Sequence, residues 1–483
     1  IRLQAVSGLK WSSFSQFGRQ GMQLVTTIIL ARLLDPADFG LMGMATVVTG
    51  FILLFRDMGT ASAVIQRRQS SPALLSGLFW FNVAFGLLAA ALLYLLAPLL
   101  ASFYHEARVT PLLRLLALSF VISGLGTLHQ ALLERGLEFA RLARIEVAAT
   151  LAGAAVGIGA ALSGQGVWSL VYQTLTLTAV TTALLWFFSG WRPGLALGLH
   201  EVRQVMSYSL NLTGFNVFNY FARNADYLLI GRYLGATELG YYTLAYRLML
   251  YPLQNISAVV ARVMFPVYVR MQDDNARFSR TYLRVAAAVA LVTFPLMLGL
   301  LALAEPFVLA VFGPSWQPVV LLLQILAPLG IAQAIVPLVG SIYQAKGRTD
   351  WMFRWGVVAS ALFVISFLIG IRWGVIGVAL AYAVAFLALS YPAQAIPFRL
   401  IGLRVRELMA VLWRPFAISV LMAATVFGFT ASIPAGTGSL LTLCLAVLIG
   451  ITLYTGATLV FNRAQVRDLS ALFRNEQGTE DPA

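Results

Sequence analysis

Residues 79–104 read FWFNVAFGLLAAALLYLLAPLLASFY, and this run of 26 residues contains no charged side chain. A helix of about 20 apolar residues spans the hydrocarbon core of a bilayer, so the run is long enough to cross a membrane. Similar runs recur along the chain, whose 483 residues are 60% hydrophobic and 11% charged, with a mean hydropathy of +0.83. This composition excludes a soluble enzyme, a DNA-binding protein and a disordered scaffold.

Fourteen apolar stretches have the length of a membrane span, and only short gaps separate them. The stretches are continuously apolar, whereas the strands of a membrane barrel are shorter, about ten residues, and alternate in polarity. They therefore predict helices. The approximate centres of the predicted spans are Val25, Thr46, Leu88, Ser123, Val156, Thr178, Ala222, Tyr251, Val292, Ala332, Phe363, Ala385, Thr425 and Val447. The predicted fold is an all-α polytopic membrane protein with about 14 transmembrane helices.

The basic residues are distributed unevenly among the gaps. Most of the 33 Lys and Arg residues lie in alternate gaps, beginning with the amino-terminal segment, whereas the opposite gaps hold only Arg108, Arg114 and Arg372. Because cytoplasmic loops are enriched in Lys and Arg, this pattern predicts that both termini are cytoplasmic and that the number of spans is even. The net charge of +14 is therefore expected to face the membrane surface and not a nucleic acid.

One segment of the sequence is repeated. Residues 30–40, LARLLDPADFG, return as residues 230–240, IGRYLGATELG, so that Gly240 stands 200 positions after Gly40. Six predicted spans separate the two copies, so both enter the membrane in the same direction, which predicts two pseudo-symmetric six-helix lobes. The predicted domains are an N-terminal lobe, 1–200, a C-terminal lobe, 201–400, two additional helices, 401–461, and a cytoplasmic tail, 462–483.

Polar residues form a stripe on the first predicted span and on the matching seventh span. Their spacings of three, four and seven place them on one helical face. The first stripe consists of Gln16, Arg19, Gln20 and Gln23, and the second of Asn216, Asn219, Tyr220 and Arg223, followed by Asp226. An arginine in hydrocarbon costs about 3 kcal/mol or more, so such a side chain should face protein or water. The two stripes therefore predict a central aqueous cavity.

Further polar side chains are candidates for the cavity wall because they lie on neighbouring spans. They are Arg56 and Asp57 on the second span, Asn82 on the third, His129 and Gln130 on the fourth, Asn211 on the seventh and Arg247 on the eighth. Arginines outnumber carboxylates in the whole set, which favours an anionic substrate such as a phosphate or an acidic sugar.

Several of these residues also have a purely structural explanation. Arg56 adjoins Asp57, and Arg223 lies three residues before Asp226, so either arginine could be paired within the protein. Arg19 has no acidic residue within one helical turn, which favours the cavity.

Three other polar groups are expected to have structural roles. His129, close to a helix end, is more typical of a hydrogen-bonded packing residue than of a proton relay, and Glu146 and Glu305 are expected near the membrane interfaces. The single cysteine, Cys444, excludes an intrachain disulfide framework.

Motifs that carry enzyme chemistry are missing from the sequence. It contains no nucleotide-binding GxxxxGK[ST] loop, no HExxH and no Cys and His cluster with metal-ligand spacing. The chain is therefore predicted not to be an enzyme and to have no cofactor and no metal. Coupling to H⁺ or Na⁺ through Asp57 or Asp226 stays open.

Residues 8–68, with the patterns LARLL, DFG and FRDMG, and residues 79–104 resemble one transporter family. It is the polysaccharide transporter branch of the multidrug, oligosaccharidyl-lipid and polysaccharide exporter superfamily, and the resemblance is closest to flippases of the Wzx and colanic-acid-exporter type. The resemblance implies a flippase in the bacterial cytoplasmic (inner) membrane. Its substrate would be an undecaprenyl-diphosphate-linked oligosaccharide, moved from the cytoplasmic to the periplasmic leaflet by alternating access.

Two alternatives remain open from the sequence. A drug or metabolite exporter of the same superfamily would share the fold, and a membrane glycosyltransferase or polysaccharide polymerase would share the lipid-linked substrate. The expected partners are the lipid-linked glycan and membrane lipids, together with a polysaccharide polymerase and glycosyltransferases. No nucleic acid is expected, and the protein is expected to be a monomer.

Overall fold

The computed structural model describes residues 2–54, 64, 71–194, 219–433, 440–463 and 465, with side chains from residue 18 onward. The described residues are 88% helical and contain no strand. Eleven helical segments of the described part are long and apolar enough to cross a membrane. These findings confirm the prediction of an all-α polytopic membrane protein.

The chain divides into two compact units, Ile1–Gly240 and Tyr241–Ala483. The predicted lobe boundary at residues 200 and 201 lies outside the described residues, so the two-lobe organisation stays a prediction. The helices that begin in the first unit are α1 Arg2–Leu33, α2 Pro36–Leu53, α3 Pro72–Tyr104, α4 Val109–Leu116, α5 Leu118–Arg135, α6 Phe139–Leu162, α7 Trp168–Ser189, α8 Ala225–Tyr233 and α9 Ala236–Asn255.

The second unit contains the rest of α9 and a further set of helices. They are α10 Ser257–Arg270, α11 Asn275–Ala302, α12 Ala304–Val311, α13 Pro318–Gln333, α14 Val336–Ala345, α15 Thr349–Gly370, α16 Gly374–Phe398, α17 Val405–Ala431 and α18 Leu440–Phe461, with 3₁₀ turns at Pro314–Trp316 and Ile371–Trp373. All fourteen predicted span centres lie in helical residues.

The helix boundaries differ from the predicted spans at two places that hydropathy alone does not identify. Residues Thr349–Phe398 form a helical stretch of 50 residues that contains two predicted spans. The 3₁₀ turn at Ile371–Trp373 separates the two spans, α15 and α16. The span centred on Ala332 is split after Gln333, and α14 resumes with Pro337 near its start, where a proline needs no hydrogen-bond donor.

Glycines set the distances between helices in the first unit. A Cβ atom on Gly86 of α3 would lie 2.6 Å from the carbonyl oxygen of Phe120, and one on Gly124 of α5 would lie 2.8 Å from that of Asn82. Lipid provides no hydrophobic force that drives helices together, so close backbone packing between small residues takes its place.

In the second unit, hydrogen bonds join helices through buried or half-buried polar side chains. The Tyr454 hydroxyl of α18 donates to the Leu291 carbonyl oxygen of α11 at 2.7 Å, and the Gln333 amide of α13 donates to the Tyr382 hydroxyl of α16 at 2.9 Å. Each bond satisfies a polar atom that would otherwise face apolar surroundings.

The repeated segment has the same helix boundaries in both copies. Helix α1 ends at Leu33 and α2 begins at Pro36, while α8 ends at Tyr233 and α9 begins at Ala236. The first turns of α2 and α9 also contact each other. A Cβ on Gly40 would lie 1.7 Å from the Ala236 carbonyl oxygen, and one on Gly240 would lie 1.9 Å from that of Pro36. The spacing that the two copies share thus places a glycine on each side of one backbone contact.

This contact predicts that Gly240→Val destabilises the protein by about 1–3 kcal/mol, because any Cβ at this position overlaps backbone atoms that cannot move aside. Gly456→Val in α18 is the matched control, since a Cβ there meets nothing within 4 Å. The midpoint of thermal unfolding in detergent measures the effect. Equal midpoints for the two variants would show that the glycine contact is dispensable.

Candidate functional site

The first polar stripe is organised around an ion pair between two helices. Helix α1 packs along α6, and the Arg19 Nη1 atom lies 3.1 Å from the Glu146 Oε2 atom. The two side chains are 33% and 39% exposed, so the pair is largely enclosed but remains accessible. The sequence predicts no acidic partner for Arg19, because none lies within one turn of α1, and it predicts Glu146 near a membrane interface. A carboxylate and a guanidinium within apolar spans both need a counter-charge, and this requirement is the signal that could have joined them.

Two polar side-chain atoms of α1 lack a hydrogen-bond partner among the described residues. They are the Nε atom of Arg19 and the Oε1 atom of Gln20, and both are buried. Leaving a buried donor or acceptor unsatisfied costs about 1–3 kcal/mol. Such groups in native proteins are often satisfied by water or by a ligand. Of the other two residues in the stripe, Gln23 is exposed, and the side chain of Gln16 lies outside the described residues.

The second stripe is only partly described, and its helix is interrupted. Residues 219–223 are helical, Asn224 is a turn, and α8 begins at Ala225. The Tyr220 carbonyl oxygen accepts hydrogen bonds from the Asn224 side-chain amide at 2.8 Å and from the Asn224 backbone N–H at 3.1 Å. The interruption changes the direction of Asp226 relative to a continuous helix, so the spacing rule that placed it on the stripe does not hold beyond Arg223.

The residues of the second stripe have different surroundings. Asn219 and Arg223 are exposed, and Arg223 forms no ion pair within the described part of the chain. Tyr220 is half-buried, and its hydroxyl donates to the Val47 carbonyl oxygen of α2 at 2.7 Å. Asp226 is 4% exposed and accepts a hydrogen bond from the Tyr227 backbone N–H at 2.9 Å.

The remaining candidates are scattered. Asn82 is 2% exposed and lies where α3 crosses α5, so it packs between helices and does not line an open cavity in this structure. Arg247 on α9 is exposed. His129 is buried, with its Nδ1 atom 2.7 Å from the Ser189 hydroxyl, which agrees with the packing role expected for it. Gln130 donates to Glu134 at 2.9 Å. The candidates outside the described residues are Arg56, Asp57, Asn211 and Asn216.

The loop between α3 and α4 carries a separate charged pair. The Arg108 guanidinium donates to both carboxylate oxygens of Glu106, at 2.9 and 2.8 Å. These hydrogen bonds lower the pKa of Glu106 below its usual value, because they favour the ionised carboxylate. In the same region the Arg232 guanidinium contacts the His105 imidazole and lies 5.5 Å from the Phe103 ring centroid. Glu106 and Arg108 are thus paired with each other within the protein.

Comparison with known proteins assigns the chain to a family. Residues 29–321 match the family model described as "Polysaccharide biosynthesis protein". The lipopolysaccharide biosynthesis protein WzxC of Escherichia coli (strain K12) is 31% identical over 425 residues, which cover 87% of this chain and 86% of the relative. The chain belongs to the polysaccharide biosynthesis protein family.

Two further comparisons concern a transport protein and a solved structure. The succinoglycan biosynthesis transport protein ExoT of Rhizobium meliloti (strain 1021) is 27% identical over 489 residues, or 98% of this chain and 96% of the relative. A solved structure of the lipid II flippase MurJ in an inward closed conformation has a TM-score of 0.75 and 15% identity, over 94% of this chain and 99% of that one. The resemblance to the polysaccharide transporter branch of the exporter superfamily is therefore confirmed.

In this family member, the site that the structure assembles is smaller than the predicted set. Arg19 and Glu146 lie together, while Tyr220 is anchored to α2. Among the described residues, no group of three or more His, Cys, Asp or Glu side chains could hold a metal ion. The assembled groups can bind an anion by charge and hydrogen bonding.

The Tyr220 anchor predicts a small, measurable loss of stability in Tyr220→Phe. The change removes one hydrogen bond to the Val47 carbonyl oxygen, which is worth about 1 kcal/mol net. Tyr391→Phe makes the same chemical change on a side chain that is 67% exposed, and it should leave stability unchanged. Thermal unfolding of both variants in one detergent compares them. A Tyr220→Phe protein as stable as wild type would mean that the hydroxyl is equally well satisfied by water.

Proposed function

We propose that this protein transports a lipid-linked oligosaccharide from the cytoplasmic to the periplasmic leaflet of the bacterial cytoplasmic membrane. The carrier lipid in the proposal is undecaprenyl diphosphate. Membership of the polysaccharide biosynthesis family and the likeness to a named transport protein, ExoT, support it. The observation that carries the proposal is the presence of accessible arginines, Arg19 and Arg223, in the polar stripes of the two matching predicted spans.

The physical problem that such a transporter solves is the transfer of a charged headgroup past hydrocarbon. A diphosphate or a sugar cannot enter the bilayer core at an acceptable cost in free energy, whereas the polyprenyl tail can stay there. Guanidinium groups offer a diphosphate two parallel N–H donors each, so they replace part of its hydration. In the proposed cycle the headgroup passes along these groups, and the two repeats alternately open to either side of the membrane.

The proposed orientation follows from charge. The protein is a multi-pass membrane protein, and its basic residues are concentrated in alternate gaps between spans. Both termini would therefore be cytoplasmic. As a transporter, the chain would act beside glycosyltransferases that build the glycan and a polymerase that consumes it, and it would act as a monomer. Of the two candidates for coupling to H⁺ or Na⁺, Asp57 and Asp226, Asp226 is the one within the described residues.

The proposal predicts that Arg19→Ala with Arg223→Ala slows translocation on the order of tenfold or more. Each arginine contributes a charge-assisted hydrogen bond of about 1.5–3 kcal/mol, and 1.4 kcal/mol corresponds to a factor of ten in rate. The measurement is movement of a fluorescent undecaprenyl-diphosphate-linked glycan across vesicles that contain purified protein. Arg372→Ala, on an exposed arginine, is the control.

Other outcomes of the same assay distinguish the alternatives. Translocation by the double variant at the wild-type rate would remove both arginines from the mechanism. Failure of wild-type protein to move the glycan, combined with export of small cationic drugs from cells, would favour a drug exporter. Formation of a longer glycan from the lipid-linked donor would favour a polymerase or a glycosyltransferase.

A further inference from the structure

Glu146 differs from the other charged residues of its helix. It is the only acidic side chain within α6, and Arg19 of α1 is its cationic partner. The nearby basic residues of α6 are engaged elsewhere. Arg141 pairs with Glu138, and the Arg144 Nε atom donates to the Ala140 carbonyl oxygen at 3.2 Å. The contact between Arg19 and Glu146 is therefore specific to these two helices.

The pair has the accessibility and the unfilled bonding capacity of a ligand site. About one third of each side chain is exposed, and the buried Arg19 Nε donor has no partner among the described residues. Two NH₂ groups and one N–H group make up a guanidinium, and Glu146 engages it through Nη1. The Arg19 guanidinium can therefore donate hydrogen bonds to a second anion, or exchange the Glu146 carboxylate for that anion.

We propose that Glu146 is a resident counter-anion, which binds Arg19 while the site is empty and is displaced by the substrate's diphosphate. This inference rests on the proposed function. Carboxylate and phosphate oxygens use the same guanidinium donors, so one anion replaces the other at the same atoms. The guanidinium then stays paired throughout the cycle, which avoids an isolated charge between apolar helices.

The exchange also explains how a headgroup can be released. A site built from arginines alone would hold a diphosphate tightly, and transport requires binding that is favourable enough to enter and weak enough to leave. When the ion pair re-forms, the Glu146 carboxylate competes with the departing diphosphate for the Arg19 guanidinium. Glu146 thus lowers affinity and raises turnover.

The test uses the full-length protein in lipid nanodiscs, with farnesyl diphosphate as the binding probe and the vesicle assay for translocation. Glu146→Gln removes the competing charge and keeps the size of the side chain. We expect it to bind the probe about tenfold more tightly, which is within the usual range of coupling between interacting groups. Multiple-turnover translocation should fall. Glu305→Gln, the same chemical change at an exposed carboxylate, should alter neither.

A graded series keeps the test independent of any one variant. Glu146→Asp has a carboxylate one methylene shorter, so its affinity should lie between those of wild type and Glu146→Gln. Arg19→Gln should bind weakly, and adding Glu146→Gln to it should change nothing more, because the two residues act on one interaction.

Each result decides between distinct conclusions. Tighter binding by Glu146→Gln with slower turnover supports the counter-anion. Unchanged or weaker binding, in a protein whose wild type binds and translocates, makes the ion pair a structural contact and leaves the proposed function standing. Wild-type protein that neither binds the probe nor moves the lipid-linked glycan overturns the proposed function itself, and the inference with it.

Discussion

A guanidinium between apolar helices must be paired or hydrated, and this constraint governs the arrangement around Arg19. Placing an isolated charge in hydrocarbon costs about 3 kcal/mol or more on insertion scales. This cost exceeds the stabilisation that most single side-chain contacts provide. Helix α6 supplies the counter-charge through Glu146. The pair can form only where these faces of α1 and α6 meet, because turning either helix would separate the charges. One electrostatic requirement thus links helix packing to the groups that can meet an anion.

Backbone packing in this membrane protein depends on a second constraint, the absence of a hydrophobic force between helices in lipid. Glycines at helix crossings replace that force with close van der Waals contact. Gly40 and Gly240 illustrate how the repeat exploits it, since each glycine faces the backbone of the other copy's first turn. When a repeated segment packs against its own copy, the same residue can form the contact on both sides, as in an isologous interface. The repetition of the glycine is therefore explained by the contact.

The sequence was sufficient for the fold because hydropathy is a property of single segments. All fourteen span centres lie in helices, and the repeat correctly aligns the end of α1 with the end of α8. The turn at Asn224 was not predicted, since mean polarity carries no information about the backbone conformation of a single residue. Asn82 shows a related limit. An amide in an apolar run suits a helix crossing as well as a cavity wall, and only packing decides between them.

The candidate site was less predictable because its partners are far apart in sequence. Helical spacing found Arg19 and Gln20, which share α1, but Glu146 lies on another helix, and spacing along one helix carries no information about it. The chemistry of the pair nevertheless limits what the site can recognise. An arginine and its counter-anion respond to the charge and geometry of a diphosphate, and those features are the same whatever glycan is attached. Selection among glycans must therefore come from groups other than this pair, whereas the exchange of one anion for another would serve every substrate that carries the same headgroup.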